Sequence, residues 1–213
     1  DADAMAVTAA EYRRRGYRRL QVKVGGSPLD DAERLRAVVA AVPDAQLYCD
    51  ANGGWQVGDA RRFLAATGDL DYVFEQPCAS LRESLLLRPF AARPMVLDES
   101  ITSVADVVEA ALGGVDGVTI KIARVGGVTV TRAIRDTAVA LGMTVTVEDT
   151  GGADIDTAAM AHLSISTPAA RRAHTVDFHH WVTVSNGTGI PSTDDGLLRA
   201  PTGAGLGIDV HLD

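Results

Sequence analysis

Three carboxylates in this chain each close an apolar run: Asp50 in Leu-Tyr-Cys-Asp-Ala-Asn, Glu75 in Tyr-Val-Phe-Glu-Gln-Pro, and Asp98 in Met-Val-Leu-Asp-Glu-Ser. They stand 25 and 23 residues apart, about the length of one strand, one helix and two short loops. If successive parallel strands close into a barrel, their C-terminal ends converge on one mouth. Three carboxylates gathered there repel unless a cation lies among them. Oxygen-only ligands favour a hard divalent ion, Mg²⁺ first and Mn²⁺ second.

Two lysines stand at equivalent places. Gln21-Val22-Lys23 puts Gln21 and Lys23 on one face of a first strand, and Lys121 ends the apolar run Thr-Ile-Lys. A lysine in such a run needs a reason: an ion pair with a neighbouring carboxylate, or a role as acid and base. The two flank the carboxylate strands in chain order, so in a barrel they would face one another across the metal. Glu148, closing Thr-Val-Thr-Val-Glu, could orient Lys121 or a metal-bound group, or pair with a lysine.

The elements that must position these groups alternate. Helical patterns over 4–15, 30–41, 57–67, 80–90, 103–112, 128–140 and 154–165 separate strand patterns over 19–24, 46–50, 71–75, 94–98, 117–122, 143–148 and 174–178. Such alternation predicts βαβ units and a parallel sheet, hence an α/β protein of TIM-type (β/α) barrel architecture. The expected domain spans residues 1–180, with 181–213 as an irregular Gly- and Pro-rich tail packing on it. Seven strands preceded by a helix is an awkward count, because a closed barrel begins with a strand and needs roughly 250 residues. Either a first strand is missing from these residues, or the barrel is open or completed by another chain. Gly25-Gly26, Gly126-Gly127 and Gly151-Gly152 fall at strand-to-helix turns; they read as tight turns rather than a phosphate cradle.

Composition excludes whole classes. With 46% hydrophobic and 23% charged residues over 213 positions, the chain is a globular protein with a sizeable core. A formal net charge of −8, with no basic stripe, argues against nucleic-acid or anionic-membrane partners. No apolar run is long enough to span a bilayer and no signal-peptide core opens the chain, so cytoplasm is the default location. Cys49 and Cys78 are too few for a disulfide framework and read as reduced packing residues, with a catalytic thiol as the alternative.

The set Gln-Val-Lys-Val-Gly, Asp-Ala-Asn, Glu-Gln-Pro, Asp-Glu-Ser, Ile-Lys-Ile-Ala-Arg-Val-Gly-Gly and Val-Glu-Asp-Thr-Gly-Gly resembles the catalytic barrel of the enolase superfamily, muconate-lactonizing-enzyme subgroup. The resemblance implies Mg²⁺ on Asp50, Glu75 and Asp98, with Lys23 and Lys121 as acid/base groups on opposite faces of a small carboxylate substrate. It implies removal of the proton α to that carboxylate through an enediolate, the pattern known for enolase-type sites. Asn52 and Gln21 would support the site or the substrate. The usual Lys-x-Lys is Gln21-x-Lys23 here, which keeps the base and removes an auxiliary cation. The family's N-terminal capping domain has no counterpart in these residues and would come from a longer parent chain; a homo-oligomer is expected.

Within the subgroup, the Cys after Glu-Gln-Pro, the run from Glu148 to Leu163 and the tail Asp-Phe-His-His-Trp most resemble hydroxyproline dehydratases and proline-betaine epimerases. On that resemblance Trp181 could offer its face to a substrate ammonium with Asp149 as counter-charge, or simply pack the tail. His179 and His180 are expected in hydrogen-bonding or surface roles, His162 and His174 in structural ones, and Arg124 and Asp154 in contact with substrate or each other. The expected activity is epimerisation or dehydration of a proline- or betaine-type substrate. Dipeptide epimerase, muconate-type cycloisomerase, a Schiff-base lyase using Lys121 and an inactive metal-binding barrel are the alternatives.

Overall fold

The chain alternates strands and helices because its hydrophobic period switches between two and about 3.6 residues. The structure, a computed structural model, describes residues 1–148, 151, 153–176, 183–190, 193 and 195–211. It divides into two compact units.

Unit 1 comprises Asp1–Ser100 with Leu112–Asp116 and Asp194–Gly196. It opens with α1 (Ala2–Arg14), whose N-cap Asp1 accepts from the Ala4 amide at 2.8 Å and whose last turn carries Arg13 and Arg14. Both choices suit the helix dipole. Strands β1 (Arg19–Lys23), β2 (Gln46–Asp50), β3 (Val73–Glu75) and β4 (Met95–Leu97) run parallel in chain order. Helices α2 (Pro28–Ala41), α3 (Val57–Ala66) and α4 (Leu81–Leu85) connect them. The helix expected over 80–90 breaks into α4 and a 3₁₀ turn at Arg88–Phe90; Pro89 lacks an amide proton and its ring would crowd the carbonyl one turn back.

One face of this sheet carries Val22, Cys49, Phe74 and Met95, all buried, with Phe74 among the rings of Trp55, Phe63 and Tyr72. On the other face Tyr48, Val73 and Val96 form a small apolar cluster. Strand alternation puts the next residues of that face, Asp50 and Glu75, directly beyond it. Register does the rest: Lys23 pairs with Asp50, and Asp50 with Glu75.

Unit 2 comprises Ile101–Ala111, Gly117–Thr193 and Leu197–Asp213. Nearly all of α5 (Val104–Leu112) belongs to it, with the parallel pair β5 (Gly117–Lys121) and β6 (Thr144–Glu148), the short α6 (Ile122–Val125), α7 (Val128–Ala140) and α8 (Asp154–Ile165). Gly126 at φ +95° and Gly127 at φ +111° end α6 and admit α7, a left-handed pair that other residues adopt at a cost. A seventh strand expected near 174–178 is not seen over 174–176, and 177–178 lie outside the described residues. The chain just before pairs with β6 by one parallel bridge, Val145 to Arg172. Further on, β7 (Gly187–Thr188) and β8 (Asp209–Val210) make a short antiparallel ladder.

Strands β1 to β6 begin and end within two residues of the sequence-based ranges. No helix among the described residues is long and apolar enough to cross a membrane.

Candidate active site

In unit 1, β1, β2 and β3 end level with one another, so Lys23, Asp50 and Glu75 form a row across the sheet. Lys23 Nζ donates to Asp50 Oδ2 at 2.5 Å; the lysine side chain is 57% exposed and the aspartate 1%. Asp50 is held further by Asn52, whose backbone N–H donates to Oδ1 at 2.8 Å and whose Nδ2 donates to Oδ2 at 2.9 Å. Gln21, one step back on β1, donates from Nε2 to Glu75 Oε2 at 3.1 Å. Gln21 thus meets a buried carboxylate with a neutral amide.

Asp98 follows β4 and is fully buried, as is Glu75. One oxygen of each lies within 4.8 Å of the other. Oxygens sharing an octahedral Mg²⁺ shell lie about 3–4 Å apart, so this spacing suits a common hard cation. The segment bearing Asp98 is placed by Gln76, a side chain without a role in the sequence analysis. Buried and at φ +32°, its Oε1 accepts from the Asp98 amide at 2.8 Å and from the Ser100 amide and hydroxyl at 3.3 and 3.1 Å, while its Nε2 donates to the Cys78 carbonyl at 2.8 Å. Only its long-range partners reveal the role of the glutamine.

Asp31 is a second residue the sequence reading passed over. Fully buried in the first turn of α2, its Oδ2 accepts from the amides of Gly25 and Gly26 at 3.0 and 2.9 Å, and Arg34 pairs with its other oxygen. Gly25 sits at φ +107°, and an added Cβ there would meet the Ala51 carbonyl oxygen at 2.5 Å. The glycine pair is therefore a tight turn held by a carboxylate, as its place at a strand-to-helix junction predicts. A Pro at the first helical position followed by acidic residues is the local signal that marked Asp31.

In unit 2, β5 and β6 end level, and Lys121 Nζ donates to Glu148 Oε1 at 2.9 Å, with side chains 13% and 2% exposed. Asp154, expected near substrate or Arg124, accepts from the Ser185 hydroxyl at 2.7 Å and the Asn186 amide at 2.9 Å and so anchors the C-terminal segment to α8. His162 bonds the Leu206 carbonyl at 3.0 Å and His174 the Thr146 hydroxyl at 3.3 Å, both structural roles. Asp149, Trp181, His179 and His180 lie outside the described residues. Cys49 and Cys78 are free and buried, and burial pushes both thiols up, Cys78 to about 11, which opposes a nucleophilic thiol at neutral pH.

Residues 4–213 match the enolase C-terminal domain-like family. A cis-3-hydroxy-L-proline dehydratase of Roseibium aggregatum is 38% identical over 99% of this chain and 58% of its own length. An o-succinylbenzoate synthase of Geobacillus kaustophilus is 31% identical over 98% of this chain and 56% of its own. Among solved structures, a mandelate racemase/muconate lactonizing enzyme from Roseovarius nubinhibens ISM superposes with a TM-score of 0.91 at 36% identity, covering 96% of this chain and 56% of that one. A member of the enolase superfamily from the same organism, complexed with magnesium, gives 0.90 at 34% identity, covering 98% and 58%. The chain thus spans a little over half the length of these relatives. Parallel strands bearing carboxylates and lysines at their C-terminal ends, and this match along nearly the whole sequence, place the chain in the enolase C-terminal domain-like family of the enolase superfamily.

Proposed function

We propose that this chain carries the catalytic groups of an enzyme that removes the proton α to the carboxylate of an amino-acid-like substrate, by way of an enediolate, and that epimerises or dehydrates it. The observation that carries the reading is the row Lys23, Asp50 and Glu75 at the level ends of β1 to β3, with the equally buried Asp98 at the end of β4.

Glu75 and Asp98, with one oxygen of each within 4.8 Å of the other, suit a hard divalent cation, and Asp50 on the adjoining strand end completes the proposed set. Asp50, Glu75 and Asp98 offer carboxylate oxygens only, and each is at most 1% exposed, so their charges lack the water that would otherwise offset them. Asp50 takes three hydrogen bonds, leaving one of its roughly four lone-pair sites. These three residues would hold Mg²⁺, or Mn²⁺, which would bind the substrate carboxylate and lower the cost of its second negative charge. The remaining chemistry belongs to the chain. One lysine takes the α-proton onto Nζ, and the other returns a proton to that carbon or assists departure of a β-hydroxyl. Asp50 and Glu148 hold the two ammonium groups when protonated. Gln21 steadies Glu75 without adding a charge.

The dehydratase relative supports a cyclic amino acid with a β-hydroxyl as substrate, and the same two-lysine chemistry serves epimerisation of an N-methylated proline. NMR of the α-proton of cis-3-hydroxyproline, N-methylproline and proline betaine in D₂O tests this. Exchange that requires both Mg²⁺ and Lys121, judged by chelator and by Lys121→Ala, is the expected result. Exchange that survives chelator, or a borohydride-trapped adduct on Lys121, would replace it with a Schiff-base lyase.

A further inference from the structure

Asn52 departs from ordinary backbone geometry. At φ +45° it occupies the left-handed region, where Asn is among the few side chains tolerated and Gly is more comfortable still. Conformation alone would therefore be satisfied by Gly. The side chain has its own work: Nδ2 donates to Asp50 Oδ2 at 2.9 Å and to Glu99 Oε1 at 3.0 Å. Both acceptors are carboxylate oxygens, so the amide's orientation is determined by its partners and both of its hydrogens are used.

The consequence for Asp50 is a clamp. One residue grips both oxygens, Oδ1 by its backbone amide and Oδ2 by its side chain, which fixes the plane of the carboxylate. The exposed Lys23 touches only Oδ2 and would leave that plane free to turn. Glu99 is the anchor behind the clamp, and its own place is set by its neighbours, since Gln76 Oε1 receives the amides of Asp98 and Ser100 on either side of it. A chain of contacts thus runs from the Asp98 segment through Glu99 and Asn52 to Asp50. Glu99 Oε2 is buried and without a hydrogen-bond partner among the described residues, a desolvated acceptor of the kind that a cation or a water offsets.

We infer that Asn52 and Glu99 are a positioning pair that sets the Asp50 carboxylate for metal binding and couples its orientation to that of the Asp98 segment. The inference rests on the metal site proposed above. Its test is Mn²⁺ affinity, measured by titration calorimetry on the metal-free chain.

Asn52→Gly keeps the positive φ and the backbone amide and deletes only the side chain. It should weaken Mn²⁺ binding about 10- to 100-fold, the usual effect of losing such a supporting contact, with the melting temperature nearly unchanged. Glu99→Ala should weaken it similarly, whereas Glu99→Gln, which removes the same charge but keeps an acceptor for Asn52, should lose less than about tenfold. Wild-type affinity in Asn52→Gly or Glu99→Ala, or equal losses in Glu99→Gln and Glu99→Ala, would overturn the positioning role while leaving the metal site standing. A wild-type chain that takes no Mn²⁺ would sink the metal site and this inference with it.

Discussion

Lys23 and Lys121 stand at corresponding strand ends, each against a buried carboxylate, yet they live in different surroundings. Lys23 is 57% exposed and shares Asp50 with Asn52. Lys121 is 13% exposed and meets Glu148 on the neighbouring strand of its own unit. An exposed lysine keeps most of its hydration, so its ion pair contributes little and breaks cheaply. The Lys121–Glu148 pair, at 13% and 2% exposure, has lost most of that hydration, so breaking it costs more. The same residue type at the same kind of position is thus a movable cation in one unit and a built-in member of the interior in the other.

The largest effect expected is on turnover, where the two lysines should look alike. Lys23→Ala and Lys121→Ala should each lower α-proton exchange by about 10²- to 10⁴-fold, the range for losing a positioned acid or base. Exchange that survives either change nearly intact would remove that lysine from the chemistry.

Stability should separate them. Lys121→Met removes the ammonium 2.9 Å from the buried Glu148 carboxylate and should cost about 3 kcal/mol, or a fall of about 6–12 °C in Tm for a chain of this size. Lys23→Met should cost less than about 1 kcal/mol, because the lysine is largely hydrated and Asn52 still holds Asp50. Equal losses in thermal unfolding would mean that exposure does not govern the difference.

The double variant Lys121→Met with Glu148→Leu sharpens the point. Replacing both members of a buried pair by apolar groups should recover most of the loss, while exchange stays abolished. Failure to recover would show that Glu148 serves other partners.

The smallest effect is a control on the sheet behind Lys23. With the Cys78 thiol at about 11, on the order of 0.1% is thiolate at pH 8. Iodoacetamide should label neither cysteine in the native chain or in Lys23→Met, and both in denaturant. Raising the pH toward 11 increases the thiolate fraction, so labelling that rises at high pH while structure persists would locate a path to Cys78.

The elements were legible because each depends on a local pattern. Apolar runs of strand length ending in Asp50, Glu75 and Lys121 needed only alternation and turn residues to be read, and β2, β3 and β5 lie where that reading puts them. The departures have local causes too: Pro89 breaks the helix expected over 80–90. What the sequence leaves unread are contacts to distant partners, including that of Asn52, a residue expected only to support the site. Gln76 reaches Asp98 across 22 residues and Asn52 reaches Glu99 across 47, and neither separation leaves a periodic trace.

By itself, then, the sequence determined which residues end the strands and which of them carry charge, because hydrophobic period and turn chemistry act over a few positions. Only the tertiary structure decided how those charges are met: Lys23 in water against a clamped Asp50, Lys121 enclosed with Glu148. Burial and hydrogen-bond partners come from register and from loops meeting across the sheet. Those are set when the whole unit packs, and they decide whether a lysine at a strand end is loosely or tightly held.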